Sequence, residues 1–111
     1  MDCIFCKIIR NEIKSDKIYE DENLIAIRDI NPQAPVHILI IPKKHFEKLH
    51  QIEEISLLGN IIKIACQIAK KEGILNSGYR IVINTNRDAG QSVDHVHVHL
   101  LGGRIMKWPP G

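Results

Sequence analysis

No apolar run in these 111 residues approaches the roughly 20 that a membrane-spanning helix needs. Nor is there a basic region followed by an apolar stretch at the start, so no signal peptide and a cytoplasmic protein are expected. Cysteine is scarce and odd in number. Cys3, Cys6 and Cys66 do not make the framework of a disulfide-stapled secreted domain. The net charge of +2 is too small to point to nucleic acid or an anionic membrane. Internal repeats and low-complexity segments are also missing. The length suits one domain, 1–111, with a real core and with 104–111 as a C-terminal tail, and 44% hydrophobic with 25% charged residues is ordinary for a globular chain.

The chain does have histidine, six in all, and three of them fall in the run DHVHVHLLGG (94–103). Side chains alternate faces along a strand, so His95, His97 and His99 line one face while Val96, Val98 and Leu100 line the other. An exposed polar face gains nothing from three imidazoles in register. Imidazole is both a metal ligand and a nucleophile or base near neutral pH.

Around this segment the pattern reads as α+β. KIIRNEI (7–13) suits a short helix. KIYEDENLIAIRDI (17–30) reads as two strands around Asp21-Glu22-Asn23, and VHILIIP (36–42) as a third, stopped by Pro42. From about Glu53, Ile55, Leu58, Ile62, Ala65 and Ala69 recur at helical spacing, with Lys70 and Lys71 late and Gly73 just past the end. Ile61, Ile64 and Ile68 widen that apolar surface and suggest a second packing partner, most simply another subunit. Tyr79–Thr85 reads as a strand, followed by a polar loop and the histidine strand. A mainly antiparallel five-stranded sheet with one long and one short helix follows.

Two thiolates at Cys3-x-x-Cys6 need two more ligands for a closed tetrahedral zinc site. His37, His45, His50, His95, His97 and His99 are the candidates. The pair could instead be redox-active, but a thioredoxin-like motif follows a strand, and this one opens the chain. Cys66, in mid-helix, reads as a buried small hydrophobe, and His50 as a solvated surface residue. The loop Asn84–Ser92 is rich in donors, and its glycine would let main-chain N–H groups form an anion nest. It also reads as an ordinary polar connection. Asp29 either starts a turn before Asn31-Pro32 or accepts a sugar diol in a cleft.

Together these residues resemble the histidine-triad superfamily, whose signature alternates three histidines with apolar residues. Here it is His95-Val96-His97-Val98-His99-Leu100-Leu101. With IFCKIIRNEI, RDINPQAPVHILIIPKKH, GYRIVINTN, AGQSVDHVHVHLLGGR and the terminal WPPG, the resemblance spans the chain and is nearest the Hint branch, the purine-nucleoside phosphoramidases. It implies that His97 attacks the phosphorus of a nucleoside 5′-phosphoramidate. An amine leaves, a nucleotidyl-histidine forms, and water releases the monophosphate. By the same resemblance His99 supports the phosphate, His37 orients the triad and Ser92 assists departure of the amine. Asn84, Gly90 and Gln91 match phosphate-side contacts, Asp29 the ribose acceptor, and Ile30, Ile4 and Phe5 the surroundings of the purine. The implied zinc ligands are Cys3, Cys6, His45 and His95. A homodimer is implied, with the WPPG tail reaching the partner's active site.

Two positions depart from the branch. Ile27 stands where an aromatic residue is common near the base, and Asp94 brings a carboxylate beside the triad that could raise a neighbouring imidazole. Besides the phosphoramidate hydrolase, two other readings stand: a zinc-stabilised nucleotide-binding or interaction module, and a dinucleoside polyphosphate hydrolase, against which the WPPG end argues.

Overall fold

A computed structural model describes residues 3–111. In chain order the elements are α1 (Ile4–Ile9), β1 (Lys17–Glu20), β2 (Leu24–Arg28), β3 (Val36–Pro42), α2 (Ile55–Lys71), β4 (Tyr79–Val82), α3 (Asn86–Ala89) and β5 (Val98–Gly102). The five strands form one sheet in the order β1-β2-β3-β5-β4, and every neighbouring pair is antiparallel.

The two faces of this sheet are covered unequally. Leu24, Ala26, Ile38, Ile40, Val98 and Leu100 pack beneath α2, which contributes Leu57, Ile61, Ala65, Ile68 and Ala69. Burying each of the larger of these side chains contributes about 1.5–3 kcal/mol. The opposite face carries Ile25, Ile27, Leu39 and Ile41, covered by Phe5 and Ile8 of α1. Six residues of helix are too few to cover it all. The remainder of that face holds the histidines.

Several local expectations change for physical reasons. The first helix begins at Ile4, not at Lys7, because the Cys3 sulfur accepts the Cys6 main-chain N–H at 3.1 Å and caps it. It stops before Ile13 because Asn11 turns left-handed (φ 62°), and Asn11 and Glu12 return hydrogen bonds to Ile8 and Lys7. Gly73 (φ 76°) ends α2 in the same way. The buried stripe of α2 is shifted from the expected one: Ile61 and Ile68 face the core, whereas Ile55 is 83% exposed and Ile62 40%. The surplus apolar surface is therefore on the Ile62 side. Cys66 is half-buried, with its sulfur 3.4 Å from the Tyr79 hydroxyl, rather than enclosed.

β4 is shorter than the run YRIVINT suggests. Its ladder ends at Val82↔His99, and α3 follows within the loop. Of the three triad histidines only His99 lies in a regular strand, for β5 starts at Val98. The alternation nevertheless holds upstream, since Val96, Val98 and Leu100 all enter the α2 core. The tail is exposed at Ile105 and Trp108, and is tied down where Arg80 donates to the Lys107 carbonyl at 3.1 Å. Among the described residues no helix is long and apolar enough to cross a membrane.

Candidate active site and metal centre

For four of the six imidazoles a neighbouring group decides which ring nitrogen carries the proton. A carbonyl oxygen only accepts, and a main-chain N–H only donates. His95 Nε2 lies 2.7 Å from the Pro42 carbonyl, so Nε2–H donates and the Nδ1 lone pair is free. His97 Nδ1 lies 2.8 Å from the His95 carbonyl, so this ring has the opposite tautomer and its lone pair is on Nε2. His37 Nδ1 accepts the Gln33 main-chain N–H at 3.0 Å, which places its proton on Nε2. That proton is donated to His99 Nδ1 at 2.9 Å, so a neutral His99 offers Nε2–H. The contact follows from the register: His37 pairs with Leu101 and His99 with Leu39, making the two histidines diagonal neighbours on one face.

The free Nδ1 of His95 looks onto the N-terminus of the chain. It is 3.2 Å from the Cys3 sulfur, 3.6 Å from that of Cys6 and 3.0 Å from His45 Nδ1. His45 Nδ1 is in turn 3.2 Å from the Cys6 sulfur and 3.6 Å from that of Cys3. A tetrahedral zinc with ordinary bond lengths requires N···N near 3.3 Å and N···S near about 3.5 Å. The donor set fits that ion. Burial, then the neighbouring Cys3 thiol, pushes the Cys6 thiol up, which is the strain a bound cation relieves. Burial first, then the charges of His45 and His97, keeps His95 below the usual histidine range, in the neutral form a ligand must have. Four ligands close the coordination sphere, so such an ion fixes structure and offers no open position for water.

On the other side of His97 lies a cavity of about 260 Å³. Its chemical end is formed by His97, His99, Ser92 and Asp29, and its apolar end by Ile4, Phe5 and Ile30, all seven expected from the sequence. Ile8, Ile13, Leu39 and Val93 also line it and were not expected. Ile8 could have been found as the i+4 partner of Ile4 on one helical face. Ile27, the first departure, is buried in the same wall. Phe5 stands 5.0 Å from the His97 ring, centroid to centroid. A larger hollow of about 540 Å³ runs along β4 and the tail, lined by Tyr79, Arg80 and Arg104, but no histidine reaches it.

Asp29 has one carboxylate oxygen 3.4 Å from His37 Nε2, and the other accepts the Asn31 N–H at 2.8 Å. Burial, only partly opposed by Asp29, holds His37 below the ordinary histidine range. His99 is pushed further, down to about 4, by burial first and then by its neighbours His97 and His37.

The loop before the triad is not the expected nest. The Gly90 N–H donates to Arg87 and the Gln91 N–H to Asn86, both closing the end of α3. Asn84, Gly90 and Gln91 do not line the cavity. Gln91 departs furthest from its expected phosphate contact, because its side-chain donors also end on protein carbonyls. The Asp94 carboxylate turns outward to the Lys48 ammonium at 2.8 Å and touches no imidazole. His50 is exposed, as expected.

A Cys/His cluster fit for a metal, abutting a cleft lined by differently protonated histidines, defines a histidine-based site on an α+β sheet. The chain belongs to the HIT domain family, which residues 10–106 match. It is 51% identical over 105 residues to the purine nucleoside phosphoramidase of Escherichia coli K12, covering 93% of this chain and 88% of that protein. A 14 kDa zinc-binding protein of Zea mays is 56% identical over 112 residues, covering 97% and 87% respectively. Among solved structures, a HIT family hydrolase from Legionella pneumophila superposes with TM-score 0.96 at 50% identity, covering 99% and 100%. These relatives support a hydrolase.

The His99 shift has a definite sign. Above its ordinary value of 6.5 both the folded and the unfolded chain are neutral there, and the group contributes nothing. Between 6.5 and about 4 the unfolded state takes a proton that the folded state refuses, so stability falls as pH falls. The His99 ring resonances should titrate with a midpoint near 4 in NMR, and His99→Gln should flatten the loss of melting temperature across that window. A midpoint close to 6.5 would contradict this account.

Proposed function

We propose that the protein hydrolyses purine nucleoside 5′-phosphoramidates through a covalent nucleotidyl-histidine. The observation that carries this reading is His97: its Nδ1–H is spent on the His95 carbonyl, its Nε2 has no partner among the described residues, and the ring lines the cavity. A neutral nitrogen with a free lone pair attacks phosphorus without a separate strong base. The P–N bond to the amine breaks as the N–P bond to His97 forms. Water then attacks phosphorus, His97 departs, and the nucleoside monophosphate is released. His99 Nε2–H donates to the phosphoryl oxygens as charge develops there. Ser92 hydrogen-bonds the leaving nitrogen, Asp29 receives the ribose hydroxyls, and Ile4, Phe5 and Ile30 enclose the purine.

Cys3, Cys6, His45 and His95 hold one zinc ion, which ties the chain's beginning to the triad segment and takes no chemical step. Cysteines outside any disulfide suit a reducing compartment, and we assign the protein to the cytoplasm. We also assign a homodimer, built on the unpaired outer edge of β4 and the Ile62 side of α2.

Incubation with adenosine 5′-phosphoramidate should yield AMP and ammonia, and His97→Ala should lose roughly 10³-fold or more in kcat. Mass spectrometry of quenched wild-type enzyme should find a nucleotidyl adduct on His97. Tight nucleotide binding without turnover in the wild type would favour the binding module instead. Elemental analysis should find about one zinc per chain, and Cys3→Ser should lose both the metal and several degrees of melting temperature. Unchanged metal content in that variant would refute the ligand set. In sedimentation the protein should run at twice its 12.7 kDa chain mass, and Ile62→Glu should shift it towards monomer. A wild type that stays monomeric at micromolar concentration would overturn the dimer.

A further inference from the structure

The carboxamide of Gln91 has no place in the reaction above, yet every hydrogen-bonding position it has is filled. Nε2 donates to the Glu47 carbonyl at 2.7 Å and to the Val93 carbonyl at 3.0 Å. Oε1 accepts the Asn86 main-chain N–H at 2.9 Å and the Lys48 ammonium at 3.1 Å. Two hydrogens and two lone pairs are the whole capacity of a primary amide. Lys48 is itself held by Asp94 at 2.8 Å. Three segments therefore meet on one side chain: the chain just after His45, the start of α3, and the approach to His95.

The bond to Val93 is the informative one. It runs from the side chain of residue 91 to the main chain of residue 93, closing a ring around Ser92 alone. Ser92 is exposed, lines the cavity and makes no hydrogen bond of its own among the described residues. Its position is therefore set by the residues on either side, both held by the Gln91 amide. A hydroxyl that must reach a leaving nitrogen loses rate steeply when its backbone is free to move. We infer that Gln91, braced by Lys48 and Asp94, is a positioning residue that fixes the Ser92 hydroxyl beside the departing amine. This rests on the assignment of Ser92 above.

A role through leaving-group departure shows itself in its dependence on the amine. Two phosphoramidates of one nucleoside are compared, one losing a basic alkylamine and one a weakly basic arylamine. Ser92→Ala should slow the alkylamine substrate much more than the arylamine. Gln91→Ala should reproduce that selectivity, with kcat for the alkylamine down about tenfold, the arylamine within about threefold, and KM little changed. In the Ser92→Ala background Gln91→Ala should cost nothing further. Lys48→Met, which leaves three of the four bonds in place, should show the same selectivity at smaller size and covers the case of a poorly folded Gln91 variant. Zinc content and melting temperature are read alongside. If Ser92→Ala shows no dependence on the amine, the Ser92 assignment falls. If it does, but Gln91→Ala and Lys48→Met slow both substrates equally or add to Ser92→Ala, the positioning role is overturned.

Discussion

The hydrogen bond from His97 Nδ1 to the His95 carbonyl, 2.8 Å long and buried, fixes what the rest of the site does. In the other tautomer two lone pairs would face each other at that distance. The carbonyl would lose its partner inside the protein, at a cost of about 1–3 kcal/mol. That corresponds to a roughly 5- to 150-fold preference for the form with Nε2 unprotonated. The same reasoning gives His95 the opposite form, because Pro42 presents its carbonyl to the other nitrogen. Adjacent members of one motif thus have lone pairs directed to different sides, one to the cysteines and one to the cleft. A repeated residue obtains different chemistry from what each copy meets in the main chain.

The sheet makes this arrangement possible by being covered unevenly. α2 seals one face, so Val96, Val98 and Leu100 anchor the triad segment in a continuous core. α1 covers only part of the other face and leaves His97 and His99 beside the cleft. The helix that half-covers the face also starts at the Cys/His cluster, since Cys3 caps it and Cys6 lies within it. Cys3 and His95 are 92 residues apart in sequence, and a metal bridging them would remove about 4–5 kcal/mol of freedom from the unfolded chain in the chain-entropy picture. The His95 carbonyl that directs His97 belongs to the same residue.

Much of this was legible in the sequence because alternation and spacing are direct consequences of backbone geometry. His95, His97 and His99 share a side, Cys3 and Cys6 read as a pair of metal-type ligands, and Gly73 ends α2, each for a reason visible in the residues alone. What stayed hidden depends on partners distant in sequence. Nothing near Asn11 announces a left-handed stop before Ile13, and no periodicity distinguishes Ile61 from Ile62 on a helix apolar on more than one side. The donors of Gly90 and Gln91 were correctly counted, but α3 takes their main-chain N–H groups, and Glu47 and Val93 take the Gln91 side chain. In sequence Asp94 reads as a perturbation of the triad, but Lys48, 46 residues away, draws its carboxylate outward.

Among the described residues two groups of ligand-type side chains each lie within a few ångströms of one another, and only one fits a metal. Asp29, His37 and His99 gather as closely as Cys3, Cys6, His45 and His95 do. In the first group the Gln33 N–H occupies the His37 Nδ1 lone pair, so the nitrogen facing the cluster carries a hydrogen. The one imidazole lone pair turned inward, on His99 Nδ1, already accepts that hydrogen. An entering cation would have to break both bonds and reverse the tautomer of a buried ring. In the second group the Pro42 carbonyl takes the far nitrogen of His95 and leaves the near one bare. Two soft sulfurs complete a tetrahedron that zinc prefers. Main-chain partners on the far ring nitrogens separate a cluster fit for a metal from a hydrogen-bonded imidazole pair on the same face of one sheet.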